Sequence, residues 1–301
     1  MNIPFLSSLV GAKQSLFPIG LDYATLLQAA SRSKMAYYPP ETVQQMWEKT
    51  PDVYKNEFEK WIYPQLKETK DPPVFITSPP SSGEDAQAYV WKATDGTLYL
   101  VFRGTSSKQD ALADLDVRTI ALKNGARVHI GFYEQFLSVE PLITEQIEKS
   151  LPEVKALNVA GHSLGSALSQ IAAAHYGEKY PSIDVSCYTF GCPRTGDVEF
   201  TRWFRRHVKN HVRVANENDP VPMIPQRPVW CHTNNTGVII NDSCDIRVQE
   251  KDIPWYMRIF ASLTKIDFLA PIQDHDCDLY ISRLSQIHSS HTIGNTKVTD
   301  I

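Results

Sequence analysis

The stretch that decides the fold is Leu157-Asn158-Val159-Ala160-Gly161-His162-Ser163-Leu164-Gly165-Ser166-Ala167-Leu168. It opens as a short apolar run, Ala156 to Ala160, suited to a buried strand. It closes in an Ala/Leu/Gln-rich helical pattern, Ser166 to Tyr176. Between them stands Gly-x-Ser-x-Gly. A serine hydroxyl is a poor nucleophile unless it is held where a base reaches it and a substrate approaches from the open side. A sharp strand-to-helix turn meets both needs by projecting the serine off a sheet in a strained backbone conformation. Gly161 and Gly165, with no Cβ, let strand and helix close around the turn. The amide of Leu164, opening the helix, points where an oxyanion would form. Ser163 is therefore the candidate nucleophile.

Working outward, the flanking segments alternate between strand and helix. Gln87 to Phe102 (QAYVWKATDGTLYLVF) reads as two strands joined at Asp95-Gly96, the strongest short hairpin signal. A helix over 139–151 carries Leu142, Ile143, Ile147 and Leu151 on one face. After the elbow come a strand at 184–190, a helix at 198–208 and a strand at 211–215. Strands alternating with helices over this length specify an α/β fold with a mostly parallel central sheet covered on both faces. Upstream, 21–38 reads as a helix capped by Asp22 and stopped by Pro39-Pro40, and 41–67 as one or two more. The Pro/Ser-rich 71–84 reads as a connection. The expected organisation is an N-terminal helical segment, 1–84, packed on a main domain at 85–288, with a polar tail at 289–301.

Composition narrows the class. The chain has 301 residues, 42% hydrophobic and 21% charged, enough for a sizeable core. A net charge of −4 with no basic block gives nucleic acid no footprint. No apolar run approaches the ~20 residues needed to span a bilayer. The first twenty residues are mildly apolar but lack a basic n-region, which speaks against a signal peptide. Five cysteines, an odd number with no metal-like spacing, fit a reduced compartment and place the chain in the cytoplasm. Secretion is the alternative, because two glycosylation-type sequons, at Asn234 and Asn241, lie between Cys231 and Cys244 around an expected hairpin.

A serine nucleophile on such a sheet needs an acid and then a base, each at the carboxyl end of a later strand. Asp219 follows the His211–Ala215 strand in a loop stiffened by Pro220 and Pro222, with Glu217 as the alternative. Of the nine histidines, His232, His275, His288 and His291 lie beyond Asp219. His275 sits in a loop just before a helix expected at 277–287, where a base belongs. His232 falls in an expected strand (VWCHT), and His288 and His291 lie in the polar tail. Asp274, Asp276 and Asp278 surround His275 and are expected to favour its protonated form. Thr105, at an earlier strand-to-loop junction, is the candidate second oxyanion donor beside Leu164, a helix cap being its other reading.

These residues form a recognisable set. LVFRGTSS (100–107), VHIGFYEQF (128–136), VAGHSLGSALS (159–169), YTFGCPRTGD (188–197) and VRVANENDPVPMIP (212–225) resemble, in order, the motifs of the fungal-type class 3 lipases of the α/β-hydrolase superfamily. The resemblance covers roughly residues 85–280. It implies an α/β-hydrolase fold, Ser163 as nucleophile, Asp219 as acid, His275 as base, and Thr105 with Leu164 as oxyanion hole. It implies hydrolysis of lipid esters without metal or organic cofactor, with transient contact at a lipid surface. Phospholipase, lysophospholipase and soluble-ester carboxylesterase activity are the alternatives, and a non-catalytic scaffold a more distant one. Two departures stand out. Ser166 occupies a position where the family commonly has a second glycine. The segment placed as a lid, Ser106 to Asp116, offers Ala111, Leu112, Ala113 and Leu115 among four charges, a thin apolar face for interfacial activation.

Overall fold

Asp95-Gly96 turns the chain back on itself as the hairpin signal requires. In the computed structural model, which describes residues 22–105, 118–225, 229–233, 237–244, 246–249 and 273–296, β2 (Gln87–Lys92) and β3 (Thr97–Phe102) pair antiparallel. Gly96 takes the left-handed φ of 89° at the turn, and the Asp95 carboxylate accepts the Thr97 N–H at 2.8 Å. From β3 onward the pairing is parallel, through β6 (Ala156–His162), β7 (Asp184–Phe190), β8 (Asn210–Asn216) and β9 (Gly237–Ile240). An antiparallel strand, β10 (Ile246–Gln249), closes that end. With β1 (Val74–Thr77) at the other edge, the eight-stranded order is β1-β2-β3-β6-β7-β8-β9-β10, with a separate two-stranded ribbon of β4 (Thr119–Ala121) and β5 (Arg127–His129).

The sheet begins earlier than expected. Val74–Thr77 is an edge strand, β1, paired antiparallel with β2, so the stretch read as a bare connection carries part of the sheet. Its four strand-forming residues are framed by prolines, which hid the run in the sequence.

Alternation along the strands divides the core into two layers. Leu98, Leu100, Phe102, Leu157, Val159, Val185 and Cys187 face α4 (Ile130–Ser150), α5 (Leu164–Lys179) and α6 (Val198–His207). Their neighbours Tyr99, Val101, Ala160, Phe190, Val214 and Val238 face α1 (Tyr23–Met35), α3 (Glu57–Lys67) and α7 (Cys277–Thr296). A short helix, α2 (Pro40–Glu48), joins α1 to α3 with Pro40 at its first position. This is the α/β-hydrolase arrangement, a mostly parallel sheet between helical layers.

Local chemistry sets the helix starts. Asp22 caps α1 by accepting Ala24 N–H at 3.0 Å, and Asp197 caps α6 by accepting Phe200 N–H at 2.8 Å. Helix α4 starts nine residues earlier than the hydrophobic face at 139–151 indicated, with His129 accepting Phe132 N–H at 3.4 Å. Helix α7 runs past Ile287 to Thr296 and so takes in His288 and most of the polar stretch after it. Chain beginning and chain end meet on one face of the sheet. Lys34 at the end of α1 pairs with Asp278 at the start of α7 at 2.6 Å.

Candidate active site

The elbow forms as its glycines require. β6 ends at His162, and Ser163 takes φ 59° and ψ −132° before α5 begins at Leu164. A positive φ on a residue with a Cβ costs about 1–3 kcal/mol and persists only where the surroundings hold it. The Ser163 N–H donates to the Phe190 carbonyl at 3.0 Å, and the Ser166 N–H to the Ser163 carbonyl at 2.9 Å. A Cβ on Gly165 would lie 2.3 Å from the Phe102 carbonyl oxygen, so strand β3 and helix α5 meet there only through glycine.

Ser166, the departure from the family's glycine, is buried and fully used. Its Oγ donates toward the Gly161 and Phe190 carbonyls (2.7 and 2.9 Å) and accepts the Phe190 N–H at 3.2 Å. The hydroxyl thus ties the elbow to β7, work a glycine cannot do.

The structure brings Ser163, His275 and Asp219 into one line. His275 Nε2 lies 2.7 Å from Ser163 Oγ, and His275 Nδ1 lies 2.8 Å from Asp219 Oδ2. All three side chains are buried, with residue exposures of 2%, 4% and 2%. His275 reaches the site from the turn before α7, and Asp219 from the loop after β8. With Asp219 accepting at Nδ1, that nitrogen carries the proton and Nε2 is left to accept from the serine.

Asp219 is held at both oxygens. Oδ1 accepts the Val221 N–H at 2.9 Å, and Oδ2 accepts the Tyr280 hydroxyl at 2.6 Å as well as His275. The Tyr280 oxygen in turn accepts the Asn216 N–H at 3.0 Å, and Asn216 Nδ2 donates to the Asp274 carbonyl at 2.7 Å. Burial beside the Asp219 carboxylate pushes the Tyr280 phenol well above its usual range, so it stays a donor. Gly191 borders this group with φ 58°. A Cβ there would stand 2.8 Å from Asp219 Oδ2 and 2.9 Å from the His275 ring.

The rival residues have other work. His232 Nε2 contacts the Pro222 carbonyl at 2.9 Å, so it braces the loop after Asp219. Its segment makes only an isolated bridge, Cys231 to Gly196, in place of the expected strand. Asp219 and not Glu217 meets the imidazole. The acidic neighbours of His275 are largely matched: Asp274 faces Arg283 (3.4 Å) and Asp278 faces Lys34. Asp219 is the carboxylate hydrogen-bonded to the His275 imidazole.

Thr105 and Leu164 line one cavity of about 160 Å³ together with Asp85, Arg103, Gly104 and Gln135. Both expected oxyanion donors therefore border a single space beside the serine. The lid segment 106–116 and the Asn234 sequon lie outside the described residues. Among the described residues no group of three or more His, Cys, Asp or Glu side chains is placed to hold a metal ion. Likewise, no described helix is long and apolar enough to cross a membrane. None of the five cysteines forms a disulfide.

Sequence reasoning missed Tyr280. Tyr280 is an ordinary core residue by pattern, and its link to Asp219 spans 61 positions. Nothing local signals it.

A mostly parallel sheet bearing a serine on a sharp strand-to-helix turn, with aspartate and then histidine following in later loops, defines an α/β-hydrolase fold. Residues 99–228 match the family model described as Lipase (class 3). Over this stretch the chain is similar to the class 3 lipases. It is 29% identical over 212 residues to the lipase of Rhizopus niveus, covering 64% of this chain and 53% of that one. It is 30% identical over 178 residues to the secreted mono- and diacylglycerol lipase A of Penicillium cyclopium, covering 53% and 55%. The chain thus spans about half the length of the curated relatives it matches. Among solved structures it is similar to lipase II of Rhizopus niveus, with TM-score 0.60 and 25% identity over 77% of this chain and 86% of that one. It shares the fold of the Rhizomucor miehei triacylglyceride lipase, with TM-score 0.61 and 23% identity over 83% and 91%.

Proposed function

We propose that the protein is a serine carboxylic-ester hydrolase acting on lipid esters, with Ser163 as nucleophile, His275 as general base and acid, and Asp219 as the orienting carboxylate. The observation that carries this reading is the buried Ser163–His275–Asp219 line, with contacts of 2.7 and 2.8 Å. His275 Nε2 takes the Ser163 proton as Oγ attacks the ester carbonyl. The tetrahedral oxyanion is met by the Leu164 N–H, at the positive end of α5, and by Thr105. The imidazolium, steadied by Asp219, gives its proton to the leaving alcohol, and water then releases the acid from the acyl-enzyme by the same route.

The cavity beside the oxyanion donors is lined by Asp85, Arg103 and Gln135, side chains that suit hydroxyl groups or charge. Such a lining suits the free hydroxyls of a partly deacylated glyceride. The Penicillium relative, named as a secreted enzyme, favours the secreted alternative for this chain.

Ser163→Ala tests the reading. It is expected to lower hydrolysis of p-nitrophenyl esters by several orders of magnitude, about 10³-fold or more, leaving a residue from the oxyanion donors. A fluorophosphonate probe should label the native chain at Ser163 and leave the variant untouched. Full ester hydrolysis by the variant sinks the assignment. Rising acyl length, run with and without micelles, then separates esterase from lipase behaviour.

A further inference from the structure

His162, the residue before the nucleophile, has a proton inventory that its surroundings fix completely. Its Nε2 lies 2.8 Å from the backbone carbonyl of His275, a group that only accepts. Nε2 therefore carries the proton. Burial, together with the neighbouring His275, holds the imidazole well below the ordinary histidine range, so the ring is neutral. Nδ1 is then an acceptor, and what faces it at 2.9 Å is the hydroxyl of Tyr37, just after α1. Tyr37 donates to His162, and its hydroxyl stands against the Gly104 backbone. The packing leaves no slack: a Cβ on Gly104 would lie 2.3 Å from the Tyr37 hydroxyl and 2.5 Å from the His162 carbonyl. The His162 and His275 rings lie 4.6 Å apart at 32°.

Each group in this chain adjoins a reacting one. Gly104 precedes Thr105, His162 precedes Ser163, and His275 is the base itself. We infer that Tyr37 and His162 are positioning residues: the directed hydrogen bonds from Tyr37 O–H to His162 and from His162 to the His275 carbonyl, with the Gly104 backbone packed against the Tyr37 hydroxyl, hold the oxyanion loop and the base loop in register on either side of Ser163. The helical layer that precedes the sheet thereby supplies a working part of the site. Neither residue touches the substrate; both act through the groups they hold.

This inference rests on the triad reading in that it assigns the loops their roles, and its test separates the two. Tyr37→Phe keeps the ring and removes only the hydroxyl. Misplacing an oxyanion donor or base by a fraction of an ångström is expected to cut kcat about 10-fold, with KM within about twofold and the melting temperature within a few degrees of wild type. His162→Gln is expected to lose at least as much. Because both substitutions break one chain, the double variant should fall no further than His162→Gln alone, within about threefold. Multiplicative losses, or a Tyr37→Phe enzyme with native kcat, overturn the inference. Imidazole ¹⁵N spectra of the native chain decide it without turnover: His162 should be the neutral Nε2–H tautomer, with its Nδ1 resonance shifted by Tyr37→Phe. The Nδ1–H tautomer overturns it even if Ser163 proves reactive. A native chain that no fluorophosphonate labels refutes the hydrolase reading, while the tautomer still decides the chain.

Discussion

Tyr280→Phe removes the tyrosine's hydrogen bond to the candidate catalytic carboxylate, Asp219. The ring contacts of Tyr280 with His162 (centroids 5.9 Å apart) and Phe190 (6.1 Å) survive the change, so no cavity opens. Two hydrogen bonds are lost. The donation to Asp219 Oδ2 at 2.6 Å is charge-assisted, a type that contributes about 1.5–3 kcal/mol. The acceptance from Asn216 N–H leaves a buried donor unpaired, at a cost of about 1–3 kcal/mol. Partial relaxation brings the expected loss of stability to about 2–4 kcal/mol, or roughly 5–10 °C in melting temperature for a chain of this size. With Asp219 still held by Val221 N–H and His275, the triad should survive in outline, and kcat should fall about 3- to 10-fold through looser placement of the imidazole. Urea denaturation followed by tryptophan fluorescence, alongside hydrolysis of a short soluble ester, reads both effects. A variant as stable and as active as the native chain would show that the tyrosine merely fills space.

Two further outcomes are expected. Gly191→Ala places a methyl 2.8 Å from Asp219 Oδ2 on a backbone with φ 58°, so kcat/KM and the rate of fluorophosphonate labelling should drop at least about 100-fold; labelling at the native rate would contradict the crowding. Stability should fall as pH drops below about 6.5, because burial keeps His162 and His211 neutral in the fold (His211 pushed down to about 3) while both take up a proton on unfolding. The loss at pH 5 is about 2 kcal/mol for His211, with His162 adding in the same direction; urea midpoints that stay flat between pH 7.5 and 5 would refute it.

Local sequence carried the frame of this fold because its signals are local. The Asp95-Gly96 turn, the caps at Asp22 and Asp197, and the elbow glycines each act within a few residues of themselves. The candidate triad was also legible, since strand order dictates where acid and base stand relative to Ser163. What escaped was written in contacts between distant segments. Tyr37 and Tyr280 look like core aromatics, and only the docking of α1 and α7 on one face of the sheet gives their hydroxyls partners. Edge strand β1 escaped for a different reason, as prolines on either side masked four good strand residues. The sequence shows the acidic triplet around His275 but not Arg283 and Lys34, which the fold places against Asp274 and Asp278.

The pairing of Lys34 with Asp278 joins positions 244 apart, and the base meets its serine across 112. Closing loops of that length is slow compared with forming the β6–α5 elbow, whose parts are adjacent in sequence. A chain emerging during synthesis therefore displays its nucleophile long before it has a base. On the proposed mechanism Ser163 would gain its reactivity only when α7 docks, which makes that reactivity a property of the finished fold and leaves a half-made chain chemically silent.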